Sequence, residues 1–250
     1  MNAYNIKYNI KSNFNRSYET YDDNCYVQIQ AARSLISKLK KYNVNYNCVI
    51  DLGCGTGITT EILANTIQYN QFQCVDFASR LLEIARRRLS NYNIDAIELD
   101  FDEIDYQPKH YDLVFSNMSL QWSKDLTIVI KQIYNHLVKN GIFAFSLPLH
   151  GTFHELNQIH VNRLPIYHPV LQILINTGFT IIQCENETII NTFNSVKSAI
   201  QSIKLIGANG LSPSRNQTLR GKSMMNTFFK NPHPPYSLTY QLGYFLCRAI

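Results

Sequence analysis

The chain has 250 residues, 45% of them hydrophobic and 16% charged, with a formal net charge of +5. That is enough apolar material for one well-buried α/β domain and too much for a disordered chain. The basic residues are scattered, and their densest run, Arg86-Arg87-Arg88, falls where a helix is expected to end, so a nucleic-acid surface is not expected.

No apolar run is long enough to cross a membrane and the first residues carry no apolar signal segment, so neither a membrane partner nor secretion is expected. Six cysteines occur without any C-x-x-C pair or zinc-ligand spacing to histidine, which argues against a metal. Cys48, Cys74 and Cys247 lie in apolar runs and read as core thiols, in keeping with a reducing, cytoplasmic setting.

In chain order, the first 15 residues are polar and read as a loose arm. Residues 22–40 place Val27, Ile29, Ala32, Leu35, Ile36 and Leu39 on one helical face. A short buried strand ends over Cys48, Val49 and Ile50, and a helix opened by glycines follows over 58–67. Strand 71–76, helix 78–89 and strand 94–99 come next. Strand 111–116 is followed by a helix over 126–138, stopped by Asn140-Gly141, and by strand 142–147. Such alternation with short connections predicts a parallel sheet covered on both faces.

Beyond Pro148 the rhythm changes. Residues 150–165 are irregular, 169–176 form a helix ended by Gly178, and 179–190 form a strand. An insertion over 195–235 holds a helix at 196–206 and a short one near 224–229. Residues 236–250 close the fold as a seventh strand. The expected organisation is one domain: an arm and helix over 1–45, a binding core over 46–148, insertions 149–166 and 195–235 as a lid, and the last strand.

The strongest motif is Val49-Ile50-Asp51-Leu52-Gly53-Cys54-Gly55-Thr56-Gly57, a strand running through a glycine turn into a helix. Glycines there let a ligand approach the main chain, and the helix start offers free N–H groups. The spacing is G-x-G-x-G, which is neither the dinucleotide fingerprint nor a phosphate-binding loop. Asp51 suits an ammonium group. Asp76, at the end of the next strand, suits a pair of ribose hydroxyls, with a helix cap as its structural alternative. Phe77 follows it. Asp100 and Phe101, after the third strand, could meet an adenine amino group and ring. Ser116 and Asn117 end the fourth strand, where open α/β sheets bind ligands.

These strand ends in this order resemble the class I S-adenosylmethionine methyltransferases, with a Rossmann-like, seven-stranded, mostly parallel sheet and a helical lid. Ser116-Asn117-Met118-Ser119-Leu120-Gln121-Trp122 is similar to a segment of two carboxylate methyltransferase families, one acting on malonyl-acyl carrier protein in biotin synthesis and one on trans-aconitate. Phe14-Asn15-Arg16, Tyr21-Asp22, Gln28, the segment Gly151 to Leu156, Asn162-Arg163, the segment Ile203 to Asn209 and the segment Tyr236 to Tyr240 resemble the first family, nearly end to end. Ser17-Tyr18 departs from its usual alanines, and residues 105–110 depart from its Leu-Pro.

The resemblance implies S-adenosylmethionine as methyl donor, Asp51, Gly53, Cys54, Gly55, Gly57, Asp76, Phe77, Asp100, Phe101 and Asn117 as its binding residues, and an acidic acyl carrier protein bearing a malonyl thioester as partner. A carboxylate is already ionised at neutral pH, so no general base is expected. Arg163 is the candidate cation for the substrate carboxylate, and Tyr21 and Trp122 the candidate walls of the transfer site. Loop histidines His150 and His154 are given no role. Lys197, Lys204, Arg215, Arg220 and Lys222 fall in the second insertion and suit docking of an acidic carrier to a monomeric enzyme. Two other readings stay open: a methyltransferase of a small acid, and a nicotinamide-dependent oxidoreductase or non-catalytic nucleotide module.

Overall fold

The computed structural model describes residues 3–103, 110–156, 164–208 and 234–250. Seven strands form one sheet: β1 (Cys48–Leu52), β2 (Gln71–Asp76), β3 (Ile94–Glu98), β4 (Tyr111–Asn117), β5 (Leu137–Pro148), β6 (Thr180–Phe193) and β7 (Tyr236–Arg248). Their order is β3-β2-β1-β4-β5-β7-β6. All neighbours pair in parallel except β7, which runs antiparallel between β5 and β6. Every residue of β1 is buried, and all but one of β4, so both sheet faces are covered at the centre.

The helices are α1 (Ala3–Arg16), α2 (Tyr21–Asn24), α3 (Tyr26–Tyr42), α4 (Ile58–Ala64), α5 (Ser79–Arg88), α6 (Leu126–His136), α7 (Tyr167–Thr177) and α8 (Val196–Leu205). On α3 five of the six residues of the predicted apolar stripe, Val27, Ala32, Leu35, Ile36 and Leu39, are buried together with Ala31, while Ile29 is only half-buried. Gly178 ends α7 in the left-handed region, as its position after the last apolar residue predicts. Phe143, Phe145 and Phe245 stack in the core, with ring centroids 4.2 and 4.8 Å apart. Among the described residues no helix is long and apolar enough to cross a membrane.

Three expectations are corrected. The polar N-terminal arm is a helix, α1: Ile10 is buried, Phe14 packs on Trp122, and Lys7 pairs with Asp100 and Asp102. Docking supplies what its composition did not advertise. The helix expected over 126–138 stops at His136, because Leu137 already pairs with Tyr111. Asn140 takes a φ of 66° inside β5, so Asn140-Gly141 marks a strand irregularity instead of a helix end. The first apolar helix begins earlier and breaks at Cys25, giving α2 and α3. The second insertion helix, near 224–229, lies outside the described residues.

After β3 the chain returns to β4 on the other side of β1. This is the switch point at which an open α/β sheet leaves a crevice beyond its strand ends.

Candidate active site

At the switch point, the turn after β1 is held by main-chain bonds from Gly53 N and Cys54 N to Val75 O, of 2.8 and 3.0 Å. Ser116 Oγ and Ser119 Oγ donate to Leu52 O at 2.9 and 2.6 Å and lie 2.7 Å apart. Gly53, Gly55 and Gly57 all have positive φ. Gly57 also lets α4 pass close to α5, since a Cβ there would come within 3.1 Å of the Ala85 main chain.

Asp76 joins this turn to the start of α5. One carboxylate oxygen accepts from Gly55 N and the other from Ala78 N, both at 2.8 Å. The capping geometry and the link to the glycine turn therefore coexist in one side chain. Burial raises its carboxyl to about 6. Asp51 is 1% exposed and accepts from Thr60 Oγ1 at 2.7 Å. Burial raises it to about 7, only partly opposed by the Thr60 bond.

These shifts fix a sign. Both carboxyls titrate higher in the folded protein than the usual value near 4 of an unfolded chain. Their protonated forms favour folding, fully so below the unfolded value, and that contribution is lost as pH rises towards about 6 for Asp76 and about 7 for Asp51. The ligand-free melting temperature of Asp51→Asn is expected to fall less between mildly acid and mildly alkaline pH than that of the unsubstituted protein. Parallel curves in thermal melts would contradict the burial assigned to Asp51.

Tyr21, Gly53, Gly55, Asp76, Phe77, Phe101, Asn117 and Trp122 are brought to one cavity of about 40 Å³. The Tyr21 hydroxyl stands over Gly55, 3.7 Å from where a Cβ would be, and burial pushes its phenol well above the ordinary range. Asn117 bridges two elements, donating to Gln28 O at 3.0 Å and accepting from Ser146 Oγ at 2.8 Å. Asp51, Cys54 and Gly57 are not on the wall. Asp51 lies beneath the turn, and Cys54 packs with Cys74, Leu82, Ala85 and Leu89. Asp100 lies on an adjoining cleft beside Phe77, where it accepts from Lys7 Nζ at 2.6 Å and from Asp102 N at 3.0 Å. Lys7 Nζ of α1 is 5.2 and 5.9 Å from the Phe101 and Phe77 ring centres, so an ammonium stands over one side of each ring. Arg163 lies outside the described residues, as do Arg215, Arg220 and Lys222.

A second cavity, of about 60 Å³, shares Phe14, Tyr21, Met118 and Trp122 with the first. Its remaining lining comes from Gln28, Gln121, Thr152 and apolar groups, among them Pro148 at the end of β5, Leu164 and Ile206 of the two insertions, and Tyr240 of β7. Two contributors carried no readable signal. Met118 holds a φ of 50°, fixed by its N–H to Ser146 O at 3.1 Å. Arg88, read from sequence as a solvated helix end, bonds Thr56 O and pairs with Asp22, whose other oxygen accepts from Thr56 Oγ1 at 2.6 Å. That network locks α2, and with it Tyr21, to the glycine turn.

Residues 49–141 match the methyltransferase domain family. A malonyl-[acyl-carrier protein] O-methyltransferase of Coxiella burnetii is 33% identical over 98% of this chain and 97% of its own length. The chain belongs to the malonyl-[acyl-carrier protein] O-methyltransferase family. A member from Halorhodospira halophila is 26% identical over 94% of this chain and 85% of its own. The fold recurs in an S-adenosylmethionine-dependent methyltransferase of Mesorhizobium loti, with a TM-score of 0.54 at 15% identity, covering 86% of this chain and 96% of that one. It recurs too in a phosphoethanolamine N-methyltransferase of Haemonchus contortus in complex with S-adenosylhomocysteine, with a TM-score of 0.56 at 17% identity, covering 86% of this chain and 52% of that one. The enzyme class expected from the strand-end pattern, a methyltransferase on a mostly parallel seven-stranded sheet, is thus the class the family has.

Proposed function

We propose that the protein transfers the methyl group of S-adenosylmethionine to the free carboxylate of a malonyl thioester on acyl carrier protein, giving the methyl ester used in biotin synthesis. The observation that carries this is the pair of adjoining cavities with a shared wall of Phe14, Tyr21, Met118 and Trp122. One cavity is bounded by the glycine turn and Asp76, the other by mostly apolar side chains together with Gln28, Gln121 and Thr152. The family's names supply the substrate.

The donor set fits the cofactor. Asp76 keeps lone pairs free for ribose hydroxyls after accepting its two main-chain bonds, and Phe77 and Phe101 offer rings for adenine. When bound, S-adenosylmethionine supplies an activated methyl on a sulfonium. The protein's own part is then positional. The shared wall of Phe14, Tyr21, Met118 and Trp122 would exclude water and bring carboxylate and methyl together. A malonyl carboxylate is ionised already, so no side chain has to remove a proton. Tyr21, kept neutral by burial, serves as a donor and a wall.

On the same proposal the enzyme works in the cytoplasm as a monomer. Lys197 and Lys204, exposed on α8, form the described part of a basic surface for the acidic carrier. The test is a mass measurement. Incubation with S-adenosylmethionine and malonyl-acyl carrier protein is expected to add one methylene to the carrier's mass, with no change on acetyl-acyl carrier protein. Intact cofactor binding with no shift would turn the reading towards a small-acid substrate.

A further inference from the structure

The second cavity is small, and one of its walls is held from both sides. Its volume is about 60 Å³. A single water takes up roughly 10–15 Å³ on that scale, so the space suits a handful of heavy atoms. A carboxylate, one methylene and a thioester carbonyl come to about that size. A longer acyl chain fits only where a wall yields.

Ile206 is a wall that cannot easily yield. It ends α8, is 4% exposed and lines this cavity but not the one bounded by the glycine turn. Just before it, Leu205 O accepts from Thr20 Oγ1 at 2.8 Å. Just after it, Gly207 has a φ of 74°, and a Cβ there would stand 2.8 Å from Phe14 Cα and 2.9 Å from Ser17 Oγ. Gly207 N closes the turn by donating to Lys204 O at 3.0 Å. The main chain on both sides of Ile206 is thus pressed onto the end of α1 and its link to α2. Phe14 also belongs to the wall that the two cavities share, where its ring meets Trp122 edge-on at 5.5 Å. One residue therefore ties the position of Ile206 to the wall of the transfer site.

We propose that Ile206 sets the acyl length: it fills the space a second methylene would need, and so restricts methyl transfer to the malonyl thioester. This rests on the function proposed above. The carboxylate has to reach the shared wall at one end, and the docked carrier holds the thioester at the other. An extra methylene must then buckle sideways inside a full cavity, against a branched side chain whose backbone is fixed.

The test uses the full-length protein with Ile206→Ala, Ile206→Val and Ile203→Ala, each assayed with S-adenosylmethionine on malonyl- and succinyl-acyl carrier protein. Ile203 is the control, buried on the same helix but not on the cavity wall. The unsubstituted protein is expected to favour the malonyl carrier on the order of a hundredfold in kcat/KM, the scale on which a pocket rejects one methylene. Ile206→Ala is expected to cut that preference on the order of tenfold through a gain on the succinyl carrier, and Ile206→Val by less. A damaged fold cannot produce such a gain. Ile203→Ala is expected to lower the melting temperature and leave the preference as it was. A preference unchanged in both Ile206 variants, relaxed only through a loss on the malonyl carrier, or relaxed as much by Ile203→Ala would overturn the assignment. An unsubstituted protein that methylates both carriers equally would overturn the length filter alone. One that methylates neither would overturn the proposed function and the filter with it.

Discussion

Asp76→Asn is expected to lower the affinity for S-adenosylmethionine on the order of a hundredfold, more than the loss of one ribose contact would cause. Both carboxylate oxygens already accept main-chain N–H groups, from Gly55 and Ala78. An asparagine has one oxygen, so its NH₂ must face one of those donors. Either the glycine turn or the first turn of α5 loses its anchor, while the ribose hydroxyls lose an anionic acceptor. Calorimetric titration with the cofactor measures this directly. An affinity equal to that of the unsubstituted protein would remove Asp76 from the binding site.

Gly53→Ala is expected to destabilise the fold on the order of 3 kcal/mol, combining left-handed backbone strain with broken buried hydrogen bonds. Gly53 has a φ of 79°, and a Cβ there would stand 2.4 Å from Ser119 Cβ and 2.5 Å from Ser119 Oγ. Ser119 cannot move aside cheaply, since its hydroxyl is committed to Leu52 O and Ser116 Oγ. Urea unfolding gives the number. A change below about 1 kcal/mol would mean that the two serines do not pin the turn. Gly55 offers an internal contrast, because a Cβ there meets the Tyr21 ring and hydroxyl only at 3.7 Å or beyond.

The strands and the glycine turn were legible because their signals are local. Continuous apolar runs mark β1 and β4, and the glycines fall where only positive φ closes the turn. Asp76 was legible from its place at a strand end. What sequence did not show depends on long-range docking. Nothing around Lys7 announces that it will sit on Asp100, 93 positions away. Asp22 and Arg88 meet across 66 positions, and a run of three arginines gives no hint which one turns inward. Gln28 and Gln121 were visible as parts of a resemblance, yet only the folded chain brings them, 93 positions apart, to one cavity. Leu137 begins β5 and pairs with Tyr111 of β4 although helical spacing continues through Val138, a case of sheet pairing overriding local pattern.

The position of β7 has a consequence for biosynthesis. Residues 236–248 form the strand that lies between β5 and β6, so β6 has no partner and β5 an open edge until that segment leaves the ribosome. The first five strands can close around the glycine turn earlier, because each finds its neighbours among residues already made. The nascent chain can therefore pair the half of the sheet that carries the glycine turn before the sheet edge is sealed. Until then the 14-residue β6 is an unpaired strand, the kind of segment open to non-native pairing.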